Sequence, residues 1–248
     1  MQNIQRAAKT AGIIIIGDEI LSGKVQDVNS FYLATELRAL GVEVKRISVI
    51  PDAIEVIGRE TAEFSESYDY VITTGGVGPT HDDVTMKGVA LGFGVKLVEH
   101  PELLRILSSR YKDLLNEWVL KMAEVPEGSE IIAREDTRFP IVLFKNIFIF
   151  PGIPEYLKNK FPLIKERLGS EPFFVKRIYL NAHEAEIAEI LNSAVNVSKE
   201  VSIGSYPVLG NSEYRIIVTV DSKSKGSLDK ILSVLTDRFP KEIVVRIE

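Results

Sequence analysis

Thr73-Thr74-Gly75-Gly76-Val77-Gly78-Pro79-Thr80-His81-Asp82-Asp83-Val84-Thr85 follows a hydrophobic strand, Tyr70-Val71-Ile72, and runs into a helical pattern from Thr85 to Phe93. It is a strand–turn–helix joint with two adjacent carboxylates just before the helix. Glycines let the backbone adopt positive φ and let a ligand approach closely. Backbone N–H groups at such a turn, beside a helix N-terminus, favour anions and phosphate above all. Carboxylates next to a phosphate site make chemical sense when a cation lies between them. The joint therefore predicts a metal-assisted phosphate or pyrophosphate site.

Outward from this joint the chain alternates strand and helix. Met1 to Lys9 is polar and expected to fray. Ala11 to Ile16 is a continuous apolar run, the pattern of a strand buried on both faces of a parallel sheet, and Gly17-Asp18-Glu19 ends it. A helix is predicted from about Asn29 to Leu40, with Leu33, Leu37 and Leu40 on one face and Gly41 as its stop. Val42 to Val49 alternates as a strand. Asp52 with Glu55 forms a capping-box pattern for a helix carrying Ile54, Ile57, Thr61 and Phe64. This β-α-β-α-β order predicts an α/β fold, a parallel sheet with helices on both faces and ligands at the carboxyl ends of its strands. Gly17-Asp18-Glu19 and Gly75-Gly76 both fall at such ends, so both are expected to line one crevice.

Farther along, Pro101 to Leu120 reads as one helix, with Leu103, Leu104, Leu107, Tyr111, Leu114 and Leu115 as its apolar face. A hairpin joins Ile141–Phe144 to Ile147–Phe150 through Lys145-Asn146. Pro151-Gly152-Ile153-Pro154 then opens a second strand–turn–helix joint, with Pro154 well placed at a helix start. After Gly169 the pattern becomes β-α-β-β-α-β, the ferredoxin-like split arrangement. Two domains are expected, residues 1–169 and a small α+β domain over 170–248.

Composition narrows the chemistry. The 248 residues are 45% hydrophobic and 26% charged, which suits a globular chain with a sizeable core. A net charge of −5 argues against nucleic acid as the main partner. There is no cysteine, which removes thiolate metal sites, disulfides and thiol nucleophiles. The three histidines, His81, His100 and His183, match no short metal motif. A metal would therefore be held by oxygen ligands. The apolar run Ile13–Ile16 is too short for a membrane span or a signal-peptide core, so a cytoplasmic protein is expected.

Read together, Gly17-Asp18-Glu19-Ile20-Leu21, Asn29, Thr74–Thr85, Val125-Pro126-Glu127-Gly128 and Phe150–Pro154 resemble the molybdopterin-binding-like domain of the competence/damage-inducible protein A family. Thr10–Leu21 and Gly78–Thr85 are most similar to the N-terminal domain of eukaryotic-type FAD synthases, and Arg138-Phe139-Pro140 and Gly204-Ser205-Tyr206-Pro207 look like that branch. The resemblance covers essentially the whole chain. It implies a three-layer, parallel-sheet molybdopterin-binding-like domain followed by the small α+β domain. It also implies hydrolysis of FAD or ADP-ribose with a divalent metal, cobalt or magnesium, and potassium in support, and a homodimer. Neither the synthase domain of FAD synthases nor the deamidase domain of many bacterial members follows in this sequence, so FAD synthesis is not expected of it. Bacterial members often carry an Asn-Arg-Lys-type segment before Val-Pro-Glu-Gly. Here it reads Trp118-Val119-Leu120-Lys121-Met122, and only Lys121 carries over as a substrate-binding candidate.

Adjacent side chains rarely point the same way, so Asp83 is taken as the metal or catalytic carboxylate and Asp82 as its support. One of the pair could instead cap the helix. Glu19 is a cation ligand or a water-orienting base, with Asp18 beside it. The turn with Gly75, Gly76, Gly78 and Pro79 would hold one phosphate and that of Gly152, Ile153 and Pro154 the other, with Gly17, Asp18 and Thr80 as further substrate-binding candidates. Asn29 is a substrate contact or only a helix N-cap. Trp118, Phe148 and Phe150 read as core. Metal-dependent pyrophosphate hydrolysis leads. Adenylyl transfer to molybdopterin and a non-catalytic nucleotide-binding module are the alternatives.

Overall fold

The computed structural model describes residues 8–134 and 140–248. Arg138, Phe139 and the first seven residues of the expected frayed segment lie outside the described residues. Lys9, from the same segment, is tied down: its ammonium pairs with Asp69 at 2.5 Å, and Asp69 also accepts from the Thr10 N–H at 2.8 Å. The chain divides into two compact units, one ending at Ser170 and the other starting at Glu171.

In chain order the first unit contains β1 (Thr10–Ile16), α1 (Asp18–Leu21), α2 (Asn29–Ala39), β2 (Glu43–Ile50), α3 (Ile54–Ser67), β3 (Tyr70–Thr74), α4 (Thr85–Gly92), β4 (Leu97–Glu99), α5 (Pro101–Tyr111), α6 (Glu117–Lys121), β5 (Glu124–Pro126), β6 (Glu130–Ile132), β7 (Ile141–Phe144), β8 (Ile147–Phe150), α7 (Pro154–Lys160) and α8 (Lys165–Leu168). Six strands form one sheet in the order β2-β1-β3-β8-β7-β6. The first four run parallel, β7 runs against them, and β6, antiparallel to β7, runs along them again. The hairpin turns at Lys145, whose φ of 53° places it in the left-handed region.

Successive residues of a strand face opposite sides of its sheet, and β1 buries both. Ala11, Ile13 and Ile15 join a cluster with Leu33, Leu37, Phe148 and Phe150. Ile14 and Ile16 join another with Ile57, Phe64, Val89 and Leu107. Each fully buried Ile, Leu or Phe of this kind contributes about 1.5–3 kcal/mol, so helices on both faces follow from the apolar run. α3 and α4 touch backbone to backbone: a Cβ on Gly92 would lie 2.2 Å from the Gly58 carbonyl oxygen. That contact sets how closely the C-terminal end of α4 lies on α3. Gly41, with φ of 78°, closes α2 as predicted, and the Val42 N–H returns to the Leu37 carbonyl at 2.9 Å.

Two expectations are corrected. The predicted helix over Pro101–Leu120 is two helices, broken at Lys112, whose φ is 38°. Asn116 restarts it, accepting from the Val119 N–H at 3.0 Å, a better local option than continuing the first helix. Leu114, assigned to the apolar face, is 72% exposed as a result. Asp52 does not cap α3 either. Ala53 holds the cap position without a side-chain bond, and the Asp52 carboxylate turns away to accept from the Asp18 N–H at 2.9 Å.

The second unit consists of β9 (Phe174–Leu180), α9 (Glu184–Val195), β10 (Val201–Pro207), β11 (Ile216–Ser222), α10 (Lys225–Arg238) and β12 (Val244–Ile247). Its sheet is antiparallel in the order β10-β11-β9-β12. Ile216, Val218 and Val220 alternate inward and pack with Ile187, Leu191, Leu228, Ile231 and Leu235 of the two helices. This is the predicted split β-α-β-β-α-β arrangement.

Candidate functional site

The parallel strands bring three chain segments together at their carboxyl ends. Gly75 (φ 113°) is pressed against β1: a Cβ there would lie 2.0 Å from the Ile16 carbonyl oxygen. A Cβ on Gly152 would lie 3.3 Å from the Gly75 Cα. The Gly75 N–H donates to the Phe150 carbonyl at 3.1 Å. The two predicted joints therefore abut, and both line a cavity of about 480 Å³.

Past Gly75 the loop is braced from within. Thr85, fully buried, donates its hydroxyl to the Gly75 carbonyl at 2.8 Å, and its N–H donates to the Gly76 carbonyl at 3.0 Å. One oxygen of Asp83 accepts from the Gly78 N–H at 2.6 Å. The other accepts from the N–H and hydroxyl of Thr80, at 2.8 and 2.5 Å. Lys121 donates to the carbonyls of Thr80 and Asp83 at 3.1 and 3.3 Å. Asp83 and Lys121 thus clasp the loop. Among the described residues, the N–H groups of Gly76, Val77, Gly152 and Ile153 donate to no protein acceptor, and all four residues line the cavity. Such donors at adjoining turns form an anion-binding concavity.

The acids gather beside these turns. Glu19 lines the cavity and its carboxylate lies over Gly17, within 2.6 Å of where a Cβ would stand. Asp52 Oδ1 lies 3.2 Å from the corresponding position on Gly76. Burial pushes the Asp52 carboxyl up from the ordinary range; the Asp18 N–H opposes this, and the charges of Glu19, Asp18 and Asp82 add to it. The Asp82 carboxylate faces outward beside His81. It is 61% exposed, and His81 is 97% exposed.

Glu19, Gly75, Gly76, Gly78, Pro79, Asp83, Gly152, Ile153 and Pro154 line the cavity together. Gly17, Asp18, Thr80 and Asp82 stand around it, while Lys121 lines a small neighbouring cavity of about 30 Å³ with Asp83. Asn29 is buried, 6% exposed, and bonds to Thr74 and Gly152. Asp27, rather than Asn29, serves the start of α2, accepting from the Asn29 and Ser30 N–H groups at 2.9 and 3.1 Å. Among the described residues no three His, Asp or Glu side chains are arranged to hold a metal ion, so Glu19, Asp82 and Asp83 are not gathered into a cage. Asp83 turns inward to its own loop.

The sequence reading missed Asp52, Thr74 and the cavity's apolar wall. Asp52 could have been found, because it lies just past the carboxyl end of a parallel strand, as Asp18 and Gly75 do. The wall comprises Leu103, Leu107 and Tyr111 of α5 with Met86, Met122, Val142 and Ile149. It would receive the flat, apolar part of a ligand anchored by its phosphates.

A family model described as probable molybdopterin binding domain matches residues 12–170. The chain belongs to this family. Residues 172–248 match a second model, described as FAD synthase, middle domain. A protein of Archaeoglobus fulgidus is 36% identical over 226 residues, covering 91% of this chain and 98% of that one. A probable FAD synthase of Caenorhabditis briggsae is 33% identical, covering 95% of this chain, and the chain spans 50% of that relative's length. Among solved structures, the protein CinA of Thermoplasma acidophilum, described as of unknown function, superposes with a TM-score of 0.61 at 28% identity. It covers 65% of this chain and 100% of its own. The resemblance drawn from the motifs and the domain type it implied are thus shown. Among the described residues no helix is long and apolar enough to cross a membrane.

Proposed function

We propose that the crevice binds a nucleotide pyrophosphate and hydrolyses its phosphoanhydride, converting FAD to FMN and AMP, or ADP-ribose to ribose phosphate and AMP. The observation that carries this reading is the set of four N–H groups, on two abutting turns, lining one cavity with Glu19. Two turns suit two linked phosphates, and the apolar wall suits a ring. The relatives named probable FAD synthase support a flavin nucleotide as ligand. Water supplies the oxygen that forms the new P–O bond while the bridging P–O bond breaks. Glu19, at the cavity wall, orients that water and draws off its proton. The turns stabilise charge on the phosphoryl oxygens, so catalysis rests on positioning and electrostatics.

The crowding of acids around Asp52 fits a divalent cation, cobalt or magnesium with potassium in support. It would be held by Glu19 and by the ligand's own phosphate oxygens rather than by a protein cage, as hard cations often are. When bound it would neutralise phosphate charge and acidify water. The working form is read as a homodimer, on family resemblance, and as cytoplasmic, on the shortness of the apolar run Ile13–Ile16.

Pure protein incubated with FAD or ADP-ribose and each metal should release AMP, followed by chromatography. Folded protein that yields none with any metal overturns the reading. Asp83→Ala should cut turnover at least about a hundredfold, because the loop loses its clasp. The family match favours one other reading, molybdopterin binding with adenylyl transfer from ATP. Formation of an adenylylated pterin, with FAD left intact, would select it. Calorimetric binding of FAD without any product would instead mark a nucleotide-binding module.

A further inference from the structure

The two turns are joined by a buried side-chain clamp that the proposed chemistry does not itself use. Asn29 and Thr74 are 6% and 1% exposed. The Asn29 amide nitrogen donates to the Gly152 carbonyl at 2.7 Å and to the Thr74 hydroxyl oxygen at 3.2 Å. The Thr74 hydroxyl donates in turn to the Pro151 carbonyl at 2.9 Å. A carbonyl only accepts and the hydroxyl proton is already engaged, so the network admits one orientation of the amide, with both of its hydrogens used. Asn29 sits at the start of α2, Thr74 at the end of β3, and Pro151-Gly152 just beyond β8. Three elements from distant parts of the chain meet in one hydrogen-bonded knot directly behind Gly75 and Gly152.

We propose that Asn29 is a positioning residue which, through Thr74, locks the two turns into a single rigid cradle. It does not line the cavity, so it acts on the reacting geometry through the turns and not by holding the nucleotide. The kinetic part of this inference rests on the hydrolase reading. A misplacement of about 1 Å can cost about a hundredfold in rate, and loosening the knot shifts one turn against the other while each keeps its own N–H donors.

Two nearly isosteric variants test it. Asn29→Asp replaces the donor with an oxygen facing the Gly152 carbonyl, and Thr74→Val deletes the hydroxyl from a strand position that tolerates a β-branched side chain. Each should lower kcat by about ten- to a hundredfold while KM changes less than about threefold, the pattern of an interaction that matters only in the transition state. Hydrogen–deuterium exchange should quicken at the bonded amides of both turns, those of Gly75 and Gly78 in the first and those of Tyr156 and Leu157, held by the Ile153 carbonyl, in the second, whichever partner is changed. A raised KM with kcat intact would overturn the proposal in favour of a direct nucleotide contact. Faster exchange confined to the altered turn would overturn it as well. Wild-type protein that hydrolyses neither FAD nor ADP-ribose would sink the hydrolase reading alone, since the exchange comparison still decides whether the knot couples the turns. Thr74→Val carries the test if Asn29→Asp does not fold.

Discussion

Gly75 in the first unit and Gly210 in the second carry the same local signal, a glycine at positive φ in a turn after a strand. Their φ values are 113° and 76°. A Cβ on Gly75 would collide with the Ile16 carbonyl, whereas one on Gly210 would meet nothing within 4 Å. The Gly210 turn is completed by its neighbour: Asn211 accepts from the N–H groups of Glu213 and Tyr214 at 2.8 and 3.2 Å. One glycine is required by crowding between chain segments, the other only by the local dihedral angle. A parallel sheet sends its strand ends to a common edge, where loops must pack on one another. In the antiparallel unit a hairpin turn can stand free.

The largest effect is expected for Gly75→Ala. Positive φ and the backbone collision together should cost about 3 kcal/mol or more, and AMP release should vanish. Denaturant unfolding and product analysis check this, and an active variant of near-native stability would break the contrast.

Lys160 follows. It lies at the end of α7, 6% exposed, and burial, then the Arg110 charge, push its ammonium down to about 7 from 10.5. Between pH 7 and 10.5 the unfolded chain binds more protons at this residue, so its penalty fades as pH rises through that window and is complete below pH 7. Lys160→Met should therefore raise Tm by about 2–4 °C below pH 7, with the gap closing toward pH 10. A Tm difference independent of pH would rule out this titration.

The smallest effect is expected for Gly210→Ala, about 1 kcal/mol with AMP release unchanged. A loss as large as that of Gly75→Ala would show that the dihedral angle alone matters at both places.

Much of this arrangement was legible in the sequence. The apolar run Ile13–Ile16 demanded a strand covered on both sides, and the two glycine joints marked strand ends that do meet. The turn at Lys145-Asn146 was bounded by apolar tetrads. What escaped depended on tertiary direction. Asp52 has good capping chemistry for α3, but the Asp18 N–H across the sheet edge captures its carboxylate. The continuous apolar spacing of Leu107, Tyr111 and Leu114 hid the break at Lys112. β4 and β5 are three residues each, too short to show a period, and exist because each supplies the other's partner. Asp83 stood out correctly as unusual, yet its spacing alone could not reveal that both its oxygens close the loop around Gly78 and Thr80.

The place of β8 in the sheet has a consequence for biosynthesis. β1 pairs with β2 and β3, which arrive early in translation, whereas β8 pairs with β3 only after the whole stretch from α4 to β7 has been made. Closing so long a loop is the slow, entropically opposed part of assembling such a sheet. A nascent chain presenting β1 to β3 already carries Gly75-Gly76 and the acids of the first two strand ends, yet holds only half of the cradle. The cradle is therefore complete only once β8 inserts and delivers Gly152 beside Gly75.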